Sequence, residues 1–210
     1  MFTTVRIYTT IPGGTSTGTG FIFNYSHNGK YYPFLVSNKH VVDGAIEGLL
    51  EFNLAKGNEP DLGNKHTLHY NNFRNQWFFH PDPEIDVAIS PLGPIINQLA
   101  KNNINIFYRS ISNDIVPSED AMKEIDAVED VLIIGYPNGL YDSKHLLPIV
   151  RKGITATPQI LILTINQSFL STPPFSRGQV AAPFLYVMWE ALRKRERARS
   201  IQGIEFSSSE

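Results

Sequence analysis

The sequence predicts an all-β protein: a two-barrel fold whose second barrel is incomplete and which ends in a helical tail. Three observations predict it. Short apolar or alternating runs rich in Val, Ile, Phe and Tyr recur through the first 155 residues, with turn residues between them at spacings of roughly 8–12 residues. Hydrophobic residues make up 42% of the 210-residue chain and charged residues 18%, enough apolar material for a core and too little charge for a disordered chain. From Pro183 onward the strand pattern stops, and Phe184, Leu185, Met188, Trp189 and Leu192 fall at helical spacing.

Taken in order, residues 5–9, 19–25 and 31–37 read as strands. The second and third are joined across Ser26-His-Asn-Gly-Lys30, a hairpin signal because Asn28-Gly29 tolerates positive φ. Residues 49–54, 76–80 and 87–90 continue the pattern, and residues 95–101 read as a short helix or inter-barrel linker. A second set of strands is expected at 104–108, 131–135 and 148–155. The expected organisation is a first barrel over residues 1–95, a partial second barrel over 96–157, and a divergent or frameshifted tail over 158–210. No internal repeat is visible.

Composition narrows the function classes. A net charge of −2 supplies no field for neutralising phosphates, so nucleic acid is not an expected partner. The one basic run, from Arg193 to Arg199, reads as a solvated helix face or a loose tail. The absence of cysteine removes thiol catalysis, thiolate metal sites and disulfides, and it fits a reducing compartment. The start reads as no secretory signal, and no apolar run reaches about 20 residues, so the expectation is cytoplasmic with no membrane partner.

Two residues carry the expected chemistry. His40 follows the apolar run Phe34-Leu-Val and precedes Val41-Val42, which would anchor it while its imidazole faces a cleft. Asp86 stands between Ile85 and Val87-Ala-Ile, a carboxylate entering an apolar strand, where burial is costly unless a partner is present. A histidine acting as general base needs such a carboxylate to set its tautomer, and the two residue types occur here in the order His then Asp. A metal-dependent alternative would use His66, His69 and His80. On a strand, however, His66 and His69 at i, i+3 point to opposite faces, and no H-E-x-x-H motif exists. No metal or cofactor is expected.

Gly18-Thr-Gly-Phe, Leu35-Val-Ser-Asn-Lys-His40-Val-Val, Asp86-Val-Ala-Ile, Ile134-Gly-Tyr-Pro-Asn-Gly139 and Arg151-Lys-Gly-Ile-Thr-Ala-Thr157, in that order, resemble the bacterial trypsin-like serine peptidase domain of the chymotrypsin-fold class. The resemblance covers about residues 5–157. It implies two six-stranded barrels with the active site between them, a peptide or protein substrate, His40 as general base and Asp86 as its orienter. It also implies a nucleophilic serine in a Gly-x-Ser-Gly turn, and the chain contains no such turn. Ser168, Ser171 and Ser176 lie near the expected place, but Pro173 and Pro174 remove amide donors and Gly178 alone supplies a flexible turn.

The genetic code offers an explanation. Codons read one base earlier permit P-G-S-S-G-S-P-V across residues 176–184, with the middle serine falling between Gln179 and Val180. Upstream, residues 167–175 permit E-F-L-I-D-A-A, which together with the first string resembles the family's nucleophile segment. The reading is a serine endopeptidase by descent, inactive as this chain stands, whose tail after about Pro158 is out of frame. Genuine divergence of that tail, giving a non-catalytic peptide- or partner-binding pseudoprotease, is the alternative.

Overall fold

The computed structural model describes residues 1–116, 118, 120–121 and 130–154. Eleven β-strands dominate these residues and nearly all pair antiparallel, so the chain is mainly β. Five long strands open the fold: β1 (Thr4–Ile11), β2 (Gly14–His27), β3 (Lys30–Ser37), β4 (Glu47–Lys56) and β5 (Glu59–Tyr70). Short strands follow at β6 (Phe78–Phe79), β7 (Ala88–Pro91), β8 (Ile106–Phe107) and β9 (Ile111–Ser112). Their order across the sheet is β5-β4-β1-β2-β3-β7-β6, with β8 added on β4 and β9 running parallel beside β2. The path is open: among the described residues its two ends, β5 and β6, do not pair to close a barrel.

The β2–β3 hairpin is built as the turn chemistry requires. His27 pairs with Lys30, leaving Asn28 and Gly29 as a two-residue loop with φ of 51° and 71°. Two positive φ values define the tight turn whose twist matches the strands it joins. Along β2, Ile22 packs into one hydrophobic cluster with Ile7, Leu35, Leu50, Phe52 and Phe73, while Phe21 and Phe23 pack into another with Val36, Ile85 and Val87. Apolar cover on both faces explains why the run Phe21-Ile-Phe lacks polar alternation.

Three readings of the sequence need correction here. Residues 76–80 do not form a full strand: Phe73–Gln76 make a 3₁₀ turn and the strand is limited to Phe78–Phe79. Phe73 and Trp77 are both buried with their rings edge to face, and that packing fixes the turn in place of extended pairing. The strand expected at 104–108 shrinks to Ile106–Phe107. Strand β5, twelve residues long, was not expected at all. It is an edge strand, exposed along most of its length, so Glu59-Pro-Asp-Leu-Gly-Asn-Lys carries no burial pattern to read.

After β7, helix α2 (Gly93–Lys101) starts with Pro94 in its first turn, a position where the missing amide costs nothing. The first sheet then draws on the chain as far as Ser112, through β8 and β9. Strands β10 (Asp130–Gly135) and β11 (Ile149–Ile154) form a separate antiparallel pair, with Leu132, Val150 and Ile154 exposed on one of its faces. The expected helical tail, the segment 158–210 and the residues Gln179 and Val180 lie outside the described residues. No helix among the described residues is long and apolar enough to cross a membrane.

Candidate active site

His40 lies in a single helical turn, α1 (Lys39–Val42), that follows the end of β3. Val41 and Val42 are buried in the main core and anchor that turn, so the ring between them and Lys39 faces outward. The turn packs so closely on β2 that a Cβ at Gly18 would lie 2.3 Å from Val41 Cγ1. That contact gives Gly18-Thr-Gly20 a physical reason: only a residue without a side chain lets α1 approach this strand.

Asp86 reaches the same place from the other side. Ile85 and Val87 turn inward to the second hydrophobic cluster, so the alternation between them sends the Asp86 side chain toward α1. The preceding loop is pinned by its own polar contacts. Asp82 Oδ1 accepts from the Glu84 amide at 3.0 Å, and Lys39 Nζ lies 3.5 Å from the carbonyl oxygens of Asp82 and Pro83. A deeply buried carboxylate was expected; instead the side chains of His40 and Asp86 are 50% and 42% exposed. Because Asp86 precedes β7 and is not within it, the carboxylate opens to solvent on its outer side.

Sequence positions 46 residues apart thus meet in one hydrogen-bonded pair. His40 Nδ1 lies 2.5 Å from Asp86 Oδ2, and the His40 amide donates to Asp86 Oδ1 at 3.0 Å. Asn38 Nδ2 donates to Asp86 Oδ2 at 3.2 Å and to the Asp86 carbonyl at 3.1 Å. Partial burial alone would raise the Asp86 carboxyl pKa, but the hydrogen bonds from the His40 ring, the His40 amide and Asn38 outweigh it and hold the pKa below its ordinary value. An ionised carboxylate at this distance accepts the Nδ1 proton, which fixes the tautomer and leaves the Nε2 lone pair outward as a base.

Other pieces of the sequence pattern converge nearby. The Tyr136 amide donates to Thr19 Oγ1 at 2.9 Å, which ties the end of β10 to the Gly18-Thr-Gly20 segment. Ser37 Oγ donates to the Thr19 carbonyl at 3.1 Å and joins β3 to the same strand. Segments 37–41 and 135–136 therefore meet on residues 18–20 of β2. Asn38 is the residue that sequence reasoning passed over. It stood inside the quoted motif, but nothing in the sequence says where its amide points.

The histidines weighed for a metal sit elsewhere. His66 and His69 lie on β5, opposite Phe52 and Leu49, and His80 Nδ1 accepts from the Asp82 amide at 3.1 Å. Among the described residues, no group of three or more His, Cys, Asp or Glu side chains is placed to hold a metal ion.

The sequence matches no protein-family model and no curated protein.

Proposed function

We propose that the chain is a trypsin-like serine endopeptidase by descent, with a two-barrel chymotrypsin-type fold and with His40 and Asp86 as its general-base pair. The observation that carries this reading is the 2.5 Å contact between His40 Nδ1 and Asp86 Oδ2, reinforced by the His40 amide on the second carboxylate oxygen. In a complete site, His40 Nε2 takes the proton of a serine hydroxyl as that oxygen attacks the peptide carbonyl, and Asp86 stabilises the resulting imidazolium. Backbone amides around the serine hold the oxyanion, and water then releases the acyl group. The frame of this chain encodes no Gly-x-Ser-Gly turn, so the 210-residue protein is an inactive form of such an enzyme.

A fluorophosphonate probe tests the reading. The chain as it stands should remain unlabelled, whereas a chain whose codons after residue 158 are moved to the neighbouring frame should be labelled, and His40→Ala should abolish that labelling. His40-dependent labelling of the unaltered chain would overturn the claim of inactivity. A confirmed nucleotide sequence whose shifted frame lacks G-S-S-G would overturn the origin in a frameshift.

A second reading, a non-catalytic peptide- or partner-binding module, draws on the exposed aliphatic side chains Leu132, Val150 and Ile154, which share one face of β10 and β11 with the exposed Asp130–Lys152 ion pair. Peptide binding by the unaltered chain that Leu132→Asp removes, with no labelling in the shifted-frame chain, would favour it.

A further inference from the structure

Asn38 occupies the position before a helical turn, where an asparagine ordinarily accepts a hydrogen bond from a first-turn amide. It does not do so here: α1 has no side-chain cap, although Asn38 is extended (φ −74°, ψ 145°) and well placed to supply one. The side chain is instead buried, and its Nδ2 group donates twice to Asp86, once to the main-chain carbonyl and once to Oδ2. The carboxylate it holds is 42% exposed, so packing does not fix the Asp86 rotamer. His40 holds both carboxylate oxygens, through its amide on Oδ1 at 3.0 Å and its ring on Oδ2 at 2.5 Å, but both contacts come from one residue of a single helical turn. The double donation from Asn38 adds an independent tie, linking Oδ2 to the backbone carbonyl of its own residue and narrowing the torsions open to the side chain.

We infer that Asn38 is a positioning residue: it holds the Asp86 carboxylate in the plane that receives His40 Nδ1–H and thereby sets the His40 tautomer. The inference rests on the reading of His40 and Asp86 as a general-base pair. It predicts that losing the Asn38 donor loosens the carboxylate against the ring, and that the neutral imidazole then populates more of the Nε2–H form, which has no lone pair where a base needs one.

The test is ¹⁵N NMR of the His40 ring nitrogens in the full 210-residue chain, at a pH where the imidazole is neutral. The unaltered chain should show a single form protonated at Nδ1. In Asn38→Ala the Nε2–H form should rise about tenfold, the size expected for losing one hydrogen bond to a charged group. Backbone amide shifts away from α1 and the 80–87 loop should remain unchanged. A second measurement requires no change at residue 38. In the unaltered chain the Nδ2 protons of Asn38 should both be shifted from free-amide values, and Asp86→Ala should return only the proton directed at Oδ2 toward the free value while the one on the residue-86 carbonyl keeps its shift. If Asn38→Ala folds and keeps the single Nδ1–H form, the inference fails while the pair itself stands. If the native Asn38 protons already resemble a free amide, it fails whether or not that variant folds. Absence of the Nδ1–H form from the unaltered chain would instead overturn the general-base pair.

Discussion

Adding one methyl group at Gly18 should displace the turn that carries His40. The new Cβ would lie 2.3 Å and 2.8 Å from the two γ-carbons of Val41 and 3.1 Å from its Cβ, where ordinary contact begins near 3.4 Å. Val41 must therefore retreat by about 1.1 Å. It has little room to rotate, because a β-branched side chain in a helical turn has one strongly preferred rotamer. The strain passes to the backbone of α1, and overpacking of this kind costs about 1–3 kcal/mol. Urea unfolding followed by circular dichroism should place Gly18→Ala at about 2 kcal/mol below the parent. Val41→Ala removes both clashing methyl groups and should itself cost about 1.6 kcal/mol, two methylene equivalents of burial. In the Val41→Ala background, Gly18→Ala should then cost well under about 1 kcal/mol, since contacting residues couple. Strictly additive single changes would refute the claim that Gly18 exists to admit α1.

Two further perturbations probe the rest of the fold. Phe73→Ala empties a fully buried site beneath β4 and should lower stability by about 3–5 kcal/mol in the same unfolding experiment. Acid titration should expose Glu51 and Asp86, alongside Asp142, whose carboxyl is lowered by its hydrogen bond to His145. Burial of Glu51 raises its pKa, but hydrogen bonds from Lys65 at 2.5 Å and Arg6 at 2.6 Å outweigh burial and leave it lowered, as Asp86 is lowered by its own donors. A folded-state pKa below the unfolded value stabilises the protein at pH above the ordinary carboxylate range of about 4, and this contribution is lost as pH falls through the depressed values. The urea midpoint should therefore drop between about pH 5 and pH 2, and the drop should be smaller in an Asp86→Asn, Glu51→Gln chain. An unchanged acid profile in that chain would refute the assignment.

Much of the strand pattern was legible because its signals are local. The alternation in Val5-Arg-Ile, the double-faced burial of Phe21-Ile-Phe and the Asn28-Gly29 turn each depend on neighbours a few residues away, and each element forms where those signals stand. Strand β5 was illegible for the same reason reversed. An edge strand gains its order from the hydrogen bonds of β4, and its mostly exposed side chains leave no period in the sequence.

The candidate site divides along the same line. The sequence by itself determined which residue types are available: a histidine flanked by core valines, a carboxylate between two inward-facing aliphatics, and no Gly-x-Ser-Gly turn in the encoded frame. Only the tertiary structure decided that His40 and Asp86 meet, that the carboxylate remains half exposed, and that Asn38 gives its amide to that carboxylate rather than to the helical turn it precedes. The physical reason is range. Propensity and turn chemistry act over a few bonds, whereas a hydrogen bond between residues 46 positions apart exists only after β3 and β7 have paired and brought their flanking segments together.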